Sequence, residues 1–314
     1  MPNEIYNAEQ VKKKNKIKKK YFFNMKCKIC GNKTESIFSG KILGKYNIKY
    51  FYCDFCGFLQ TEEPYWIEEC YANVITNSDI GLLSRNLKLA EFTKVLIFSL
   101  YSKNSIRDLG LFSNKIFIRQ KFKSIYRSGF DFSQQFVDYG GGYGVFVRLM
   151  RDIGLDFYWH DAYCKNLFAE QFEADLTNKY KLLTAFEILE HLDKPIQELD
   201  KILKISDNIL FSVKLLPDKN LPKPNEWWYY GTEHGQHISF YSKKTLEYIA
   251  SKYKSHFYSA SGSIHIFTKE NINLKFIKRL YKKREYLSAL IDKISKPNSL
   301  LSNDFAKITG KSLR

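Results

Sequence analysis

A glycine-rich turn directly after a short apolar run constrains the fold of this 314-residue chain more than any other feature. The run Phe136–Val137 ends in Asp138, and Gly140, Gly142 and Gly144 follow at every second position. Glycine has no Cβ and tolerates positive φ, so backbone in such a turn can come very close to a ligand. A helix after the turn would point its first N–H groups at the same ligand. The pattern therefore predicts a strand, a ligand-binding turn and a helix of a doubly wound α/β sheet.

Two later segments carry polar residues where further strands of the same sheet would end. Asp161 follows the apolar and aromatic run Phe157–Trp159. An acid at the end of the second strand can accept hydrogen bonds from the two hydroxyls of a ribose, although a helix cap or a solvated loop acid would give the same pattern. The short apolar run 181–186 leads into Glu187 and then His191, at what would be the same ligand-binding edge.

The spacing D-x-G-x-G-x-G differs from the dinucleotide fingerprint G-x-G-x-x-G, because Gly144 stands one residue early. Together with Asp161 and the segment Leu182–Leu192 (LLTAFEILEHL), it resembles the class I S-adenosylmethionine-dependent methyltransferases. The resemblance implies a Rossmann-like, doubly wound α/β sheet of seven strands, with S-adenosylmethionine as cofactor. The cofactor-binding residues that it implies lie in the three segments above: Asp138, Gly140, Gly141, Gly142, Gly144, Asp161, Phe186 and Glu187.

Four cysteines form two Cys-x-x-Cys pairs, Cys27 with Cys30 and Cys53 with Cys56, and a glycine directly follows each pair. This pattern is typical of a zinc ribbon with two knuckles, in which four thiolates hold a structural Zn²⁺ with no open position. Disulfides are the alternative, but nothing in the chain indicates export. The segment 58–71 after the ribbon is acidic and aromatic, which disfavours nucleic acid as the partner of this module.

The aromatic segment Glu226–Ser242 is the predicted acceptor pocket, since aromatic rings can stack on the C–H faces of sugars. Its motif GQHISFYS, after a ribbon and a methyltransferase domain, is similar to that of sugar methyltransferases in deoxysugar and surface-polysaccharide pathways. The resemblance implies that His237 is the catalytic base, with His191 and His234 as further candidates. Gln236 stands where C-methylating relatives have glutamate, so C-methylation and O-methylation both remain open.

Five regions are predicted along the chain: a basic disordered tail (1–24), the zinc ribbon (25–60), a helical linker or lid (61–130), the methyltransferase domain (131–270) and a basic helical tail (271–314). The strands predicted from apolar and alternating patterns are 135–139, 156–160, 181–186, 207–213, 238–241, 256–260 and 263–268. Helices are predicted at 87–101 and at Pro195–Ile205, where proline occupies the first turn.

Three classes of function remain open. A small-molecule sugar or nucleotide-sugar acceptor is expected, and the alternatives are an RNA methyltransferase and a non-catalytic module that has kept the fold. The net charge of +17 comes largely from lysine-rich ends, which can bind anionic surfaces weakly or simply aid solubility. Nucleic acid is not the expected partner, because the motifs typical of base methylation are missing. A cytoplasmic enzyme without a membrane span is expected.

Overall fold

The computed structural model describes residues 25–71, 80–102, 130–217, 220–295 and 298–313. The predicted basic tail at 1–24 lies outside the described residues, as does much of the predicted helical linker, namely 72–79 and 103–129.

The cysteine pairs lie at the turns of a small antiparallel sheet. Its strands are β1 (Glu35–Ile42), β2 (Tyr46–Cys53) and β3 (Phe58–Thr61), and Cys27, Cys30 and Cys56 lie in the adjoining turns. A fourth strand, β8 (Ser239–Phe240), pairs with β3 although it is far away in sequence. The small sheet is therefore joined by hydrogen bonds to the segment predicted to bind the acceptor.

The main sheet begins with parallel strands that end at one edge. They are β4 (Gln135–Tyr139), β5 (Asp156–His160), β6 (Leu182–Ala185) and β7 (Asn208–Ser212). Two antiparallel strands, β9 (His256–Ser259) and β10 (Ile264–Thr268), complete the order β5-β4-β6-β7-β10-β9. The parallel β4, β5, β6 and β7 and the antiparallel end pair agree with the predicted methyltransferase-like α/β fold.

Two expectations about this sheet are corrected. Among the described residues it has six strands, not seven. The predicted strand 238–241 exists as β8, but it belongs to the small sheet. Strand β8 has only two paired residues, and a sequence pattern this short does not indicate which sheet the strand joins.

Eight α-helices occur in the described ranges: α1 (Ile67–Cys70), α2 (Leu82–Tyr101), α3 (Val145–Asp152), α4 (Pro195–Ile205), α5 (Lys243–Lys252), α6 (Leu274–Lys282), α7 (Arg284–Ser295) and α8 (Leu301–Thr309). Helix α4 spans the predicted residues, whereas α2 begins five residues before the predicted start. Within the ranges described, no helix combines the length and the apolar character needed to span a membrane.

The main sheet is covered on both faces by apolar layers. One layer contains residues of α2, α3, α6 and α7, with Val95, Val147 and Ile277 fully buried. The other joins the cysteine sheet to α4 and α5 through residues such as Phe58 and Leu246. The cysteine sheet thus forms part of the cover of one face, and it lies beside the loops that follow β6 and precede β8.

Candidate active site

The glycine turn after β4 is closed towards the sheet and open on its outer side. Gly140, Gly142 and Gly144 all have positive φ, at 73°, 53° and 86°. A Cβ on Gly140 would overlap Cδ1 of Ile188, whereas a Cβ on Gly142 would meet no atom within 4 Å. The backbone at Gly142 therefore borders open space that a ligand can enter. Helix α3 starts directly after Gly144, as predicted.

Asp138 lies beneath this turn rather than in the open space. Its side chain is buried, and Oδ1 accepts a hydrogen bond from Thr184 Oγ1 at 2.6 Å. Burial raises the pKa of this carboxyl to about 7, and the nearby charge of Asp161 adds to the shift. Asp138 supports the underside of the turn, next to Gly141.

Asp161 connects the loops that follow β4 and β5. Its Oδ2 accepts the N–H of Gly142 at 3.0 Å, while Oδ1 accepts the N–H groups of Tyr163 and Cys164 at 2.7 and 2.8 Å. A carboxylate offers about four acceptor sites, so about one is left for a ligand. The acid predicted to hold a ribose therefore also orders the turn.

The loop after β6 lies beside the glycine turn. The Phe186 ring packs edge-on against Phe146, with ring centroids 5.2 Å apart. Glu187 has a positive φ of 54°, and its N–H donates to Ser212 Oγ, whose hydroxyl donates to Glu187 Oε1. These contacts tie the ends of β6 and β7 together at the same edge as the glycine turn.

The three predicted catalytic histidines come together. The ring of His237 lies 4.9 Å, centroid to centroid, from the rings of both His191 and His234. Burial lowers the pKa of all three, to about 4 for His191, so the rings are neutral at pH 7. A neutral imidazole keeps one nitrogen lone pair for a proton or a metal ion.

Tyr71 connects the histidines to the loop after β5, and no sequence pattern pointed to it. Its hydroxyl lies 3.1 Å from His191 Nδ1, and its ring stacks on Tyr163 with centroids 6.3 Å apart. Tyr163 follows Asp161 by two residues. A chain of contacts through Tyr71, Tyr163 and Asp161 therefore links the histidine cluster to the glycine turn.

Glu190 is fully buried beside the histidines. Its Oε1 accepts the hydroxyl of Tyr229 at 2.7 Å, but Oε2 is buried without a hydrogen-bond partner. Burial raises the pKa of Glu190 to about 8, and the charge of Glu187 adds to the shift. A carboxylate oxygen without a partner at this depth is unusual and calls for an explanation.

Only part of the aromatic segment 226–242 is available to a ligand. Tyr229 and Tyr230 are buried, and Phe240 packs beside them in the apolar layer that contains the cysteine sheet. Trp228, by contrast, is 74% exposed. The predicted acceptor platform is thus mostly core, and the open rings are Trp228 and the less exposed Trp227.

The four ribbon cysteines converge. One Sγ–Sγ distance of 3.5 Å separates Cys27 from Cys56 and another separates Cys30 from Cys53, and the four Sγ atoms lie within 4.8 Å of one another. The hydrogen bond from the Cys56 thiol lowers the pKa of Cys27 to about 6. The described residues contain no disulfide among these cysteines.

Residues 112–253, a little under half of the chain, match a family model described as a methyltransferase domain. The match supports the prediction that the chain is an enzyme with a methyltransferase domain. No curated protein matches the chain.

Several solved structures resemble this one at low identity. The TnmH structure is 14% identical, with a TM-score of 0.33 over 49% of this chain and 57% of that one. Human N-acetylserotonin methyltransferase in complex with SAM is 13% identical, with a TM-score of 0.33 over 59% and 67%. CalO1, a methyltransferase in calicheamicin biosynthesis, in its SAH-bound form, is 14% identical, with a TM-score of 0.34 over 64% and 75%. The chain thus spans little more than half the length of the TnmH structure. TM-scores this low carry no argument about the substrate.

Proposed function

We propose that this chain is an S-adenosylmethionine-dependent methyltransferase that methylates a sugar or sugar-like small molecule in glycan or polysaccharide biosynthesis. The observation that carries the proposal is the left-handed glycine turn at the ends of β4 and β5. It is open at Gly142 and tied to Asp161 by a hydrogen bond. The match of residues 112–253 to a methyltransferase domain supports methyl transfer as the reaction.

The residues around the turn fit an adenosyl cofactor. Glycine backbone at 140–144 allows close approach, the first N–H groups of α3 face the turn, and Asp161 can accept one ribose hydroxyl. Phe186 and Glu187 would complete the pocket from the β6 side. When bound, the cofactor supplies a methyl group already activated by its positive sulfur.

The protein must then align the acceptor and remove its proton. In this proposal His237 is the base. Its Nδ1 donates to the carbonyl oxygen of Tyr229 at 2.6 Å, so the lone pair for the proton is on Nε2. Nε2 of His237 would take the acceptor proton as the methyl group is transferred to the acceptor oxygen or carbon.

The cysteine cluster fits a structural Zn²⁺. Four thiolates at Zn–S distances of about 2.3 Å leave neighbouring sulfurs about 3.8 Å apart, which agrees with four Sγ atoms within 4.8 Å. Because all four positions are filled by the chain, this ion would hold the small sheet together and would take no part in methyl transfer.

Calorimetry with S-adenosylmethionine, followed by assays with sugars and nucleotide sugars, tests the proposal. We expect binding in the micromolar range and transfer of one methyl group, detected by mass spectrometry. His237→Ala should keep cofactor affinity and lose most turnover. Absence of binding at millimolar cofactor would refute the enzyme, and methylation of RNA alone would refute the sugar acceptor.

A further inference from the structure

Three side chains beside the proposed acceptor pocket converge as metal ligands do. One carboxylate oxygen of Glu190 and one ring nitrogen each of His191 and His237 lie within 4.8 Å of one another. Oε2 of Glu190 has no hydrogen-bond partner, although the residue is fully buried. The methyl-transfer scheme above gives this oxygen no role.

Both histidines contact a backbone carbonyl oxygen through Nδ1, and for His237 this contact sets the tautomer. Nδ1 of His237 contacts the carbonyl oxygen of Tyr229 at 2.6 Å, and Nδ1 of His191 contacts that of Gln236 at 3.2 Å. A carbonyl oxygen only accepts, so Nδ1 of His237 carries the proton and its Nε2 keeps the lone pair. Nδ1 of His191 also lies 3.1 Å from the Tyr71 hydroxyl, which can donate or accept, so either nitrogen of His191 can hold the lone pair. Metal-binding histidines typically donate their other N–H to a carbonyl or carboxylate in this way.

His234 has the opposite arrangement. Its Nδ1 accepts the N–H of Gln236 at 3.1 Å, which places the proton of the neutral ring on Nε2. It therefore has no lone pair to offer, although its ring is as close to His237 as the ring of His191 is.

We propose that Glu190, His191 and His237 bind a divalent transition-metal ion. Imidazole and carboxylate ligands suit zinc, iron, manganese or cobalt. The hydroxyl of Tyr229 holds the other oxygen of Glu190 at 2.7 Å, as outer contacts of metal ligands do.

Three protein ligands leave coordination positions open. This part of the inference rests on the proposed function: the open positions would receive neighbouring oxygens of the acceptor, which selects molecules with adjacent hydroxyls. His237 would then serve as a ligand, since one lone pair on Nε2 cannot hold both a metal ion and a proton. The metal site therefore replaces the assignment of His237 as base, and the part of the proposed function on which it rests is methyl transfer from the cofactor to a sugar-like acceptor.

Cobalt(II) titration of the chelator-treated full-length chain, followed by absorbance, tests the proposal. Cobalt held by cysteines shows intense thiolate charge-transfer bands, whereas a nitrogen and oxygen site shows only weak visible bands. We expect both sets of bands in the unaltered chain. Glu190→Gln and His191→Ala should lose the weak bands, bind one ion fewer per chain and keep the thiolate bands.

His234→Ala is the matched control and should bind as many ions as the unaltered chain. Binding of S-adenosylmethionine, measured in parallel, reports that each variant is folded and tests the proposed function separately. Only thiolate bands in the unaltered chain, or an equal loss of ions in His234→Ala and Glu190→Gln, would overturn the metal site. That outcome would leave His237 as the base.

Discussion

Two glycines of the same turn face different surroundings and should respond differently to an added methyl group. Alanine at either position keeps a left-handed backbone, at a cost of roughly 1–2 kcal/mol. At Gly140 the new Cβ also overlaps Ile188, which adds about 1–3 kcal/mol. Gly140→Ala should therefore lower the free energy of unfolding by more than Gly142→Ala does, as measured by urea denaturation.

Gly142→Ala should instead act on the cofactor, because its methyl group points into the open space. Gly310→Ala is the control, since Gly310 also has positive φ and an added Cβ there would meet no atom within 4 Å, but it caps the C-terminus of α8 and is not part of the glycine turn. The two variants should lose similar stability, and only Gly142→Ala should weaken S-adenosylmethionine binding in calorimetry. Equal affinities would mean that the cofactor does not approach Gly142.

Asp138 should make stability depend on pH. Its pKa is about 7 in the folded chain and 3.8 for an aspartate exposed to water, so between these values the folded state binds more protons than the unfolded state. Stability from this group is full below pH 3.8 and falls as pH rises to 7, by up to about 4 kcal/mol. The stability of Asp138→Asn minus that of the unaltered chain, measured from urea midpoints, should be larger at pH 8 than at pH 5. A constant difference between the two proteins at both pH values would contradict a raised pKa.

At the scale of elements, the pairing of β3 with β8 makes the cysteine sheet a support for the histidines. Residues 239–240 pair with β3, and His237 precedes them by two positions. Removing the proposed zinc ion by chelation, or Cys56→Ser, should loosen the small sheet and the segment around His237. Hydrogen exchange should rise in both segments, and turnover should fall more than cofactor affinity. Cys164→Ser, outside the cluster, should change neither hydrogen exchange nor turnover. Unchanged exchange at 237–241 after chelation would disprove this coupling.

The elements that the sequence predicted well are those with a strong local pattern. Strands β4 and β5 occur at the predicted residues, because each is a short apolar or aromatic run that ends at an acid. Helix α4 likewise follows from proline in its first turn. Membership of β8 in the small sheet depends on pairing between residues far apart in sequence, which no local pattern records.

In the candidate site, too, the parts with a local sequence motif were predictable and the other parts were not. The glycine turn, the cysteines and the three histidines are motifs with fixed spacing, and each set lies together in space. Tyr71 belongs to a distant acidic segment, and the orphaned oxygen of Glu190 results from packing. The opposite tautomers of His234 and His237 depend on single backbone groups, so residue identity alone could not separate their roles.

At the scale of the whole molecule, the C-terminal helix α8 is fastened to the helix that follows the glycine turn. Asp304 is buried and accepts two hydrogen bonds from Arg151, at 2.8 and 2.7 Å, and Arg148 lies 2.9 Å away. Burial alone would raise the pKa of Asp304, but these two arginines hold it below its usual value. Both arginines belong to α3, so α8 fixes the position of the helix that starts directly after the glycine turn.

Asp304→Ala should therefore destabilise the entire chain, because it leaves a buried guanidinium short of a partner. Loss of one member of a buried ion pair costs about 3–5 kcal/mol. We expect a loss at the lower end of this range, because Asp156 still pairs with Arg151. Glu247→Ala is the control, since it breaks the exposed pair with Lys243 on α5 and should cost only about 0.3–0.5 kcal/mol. Urea denaturation measures both losses, and hydrogen exchange should show α3 and α8 opening together in Asp304→Ala. Equal losses in the two variants would mean that α8 is a surface addition without influence on the glycine turn.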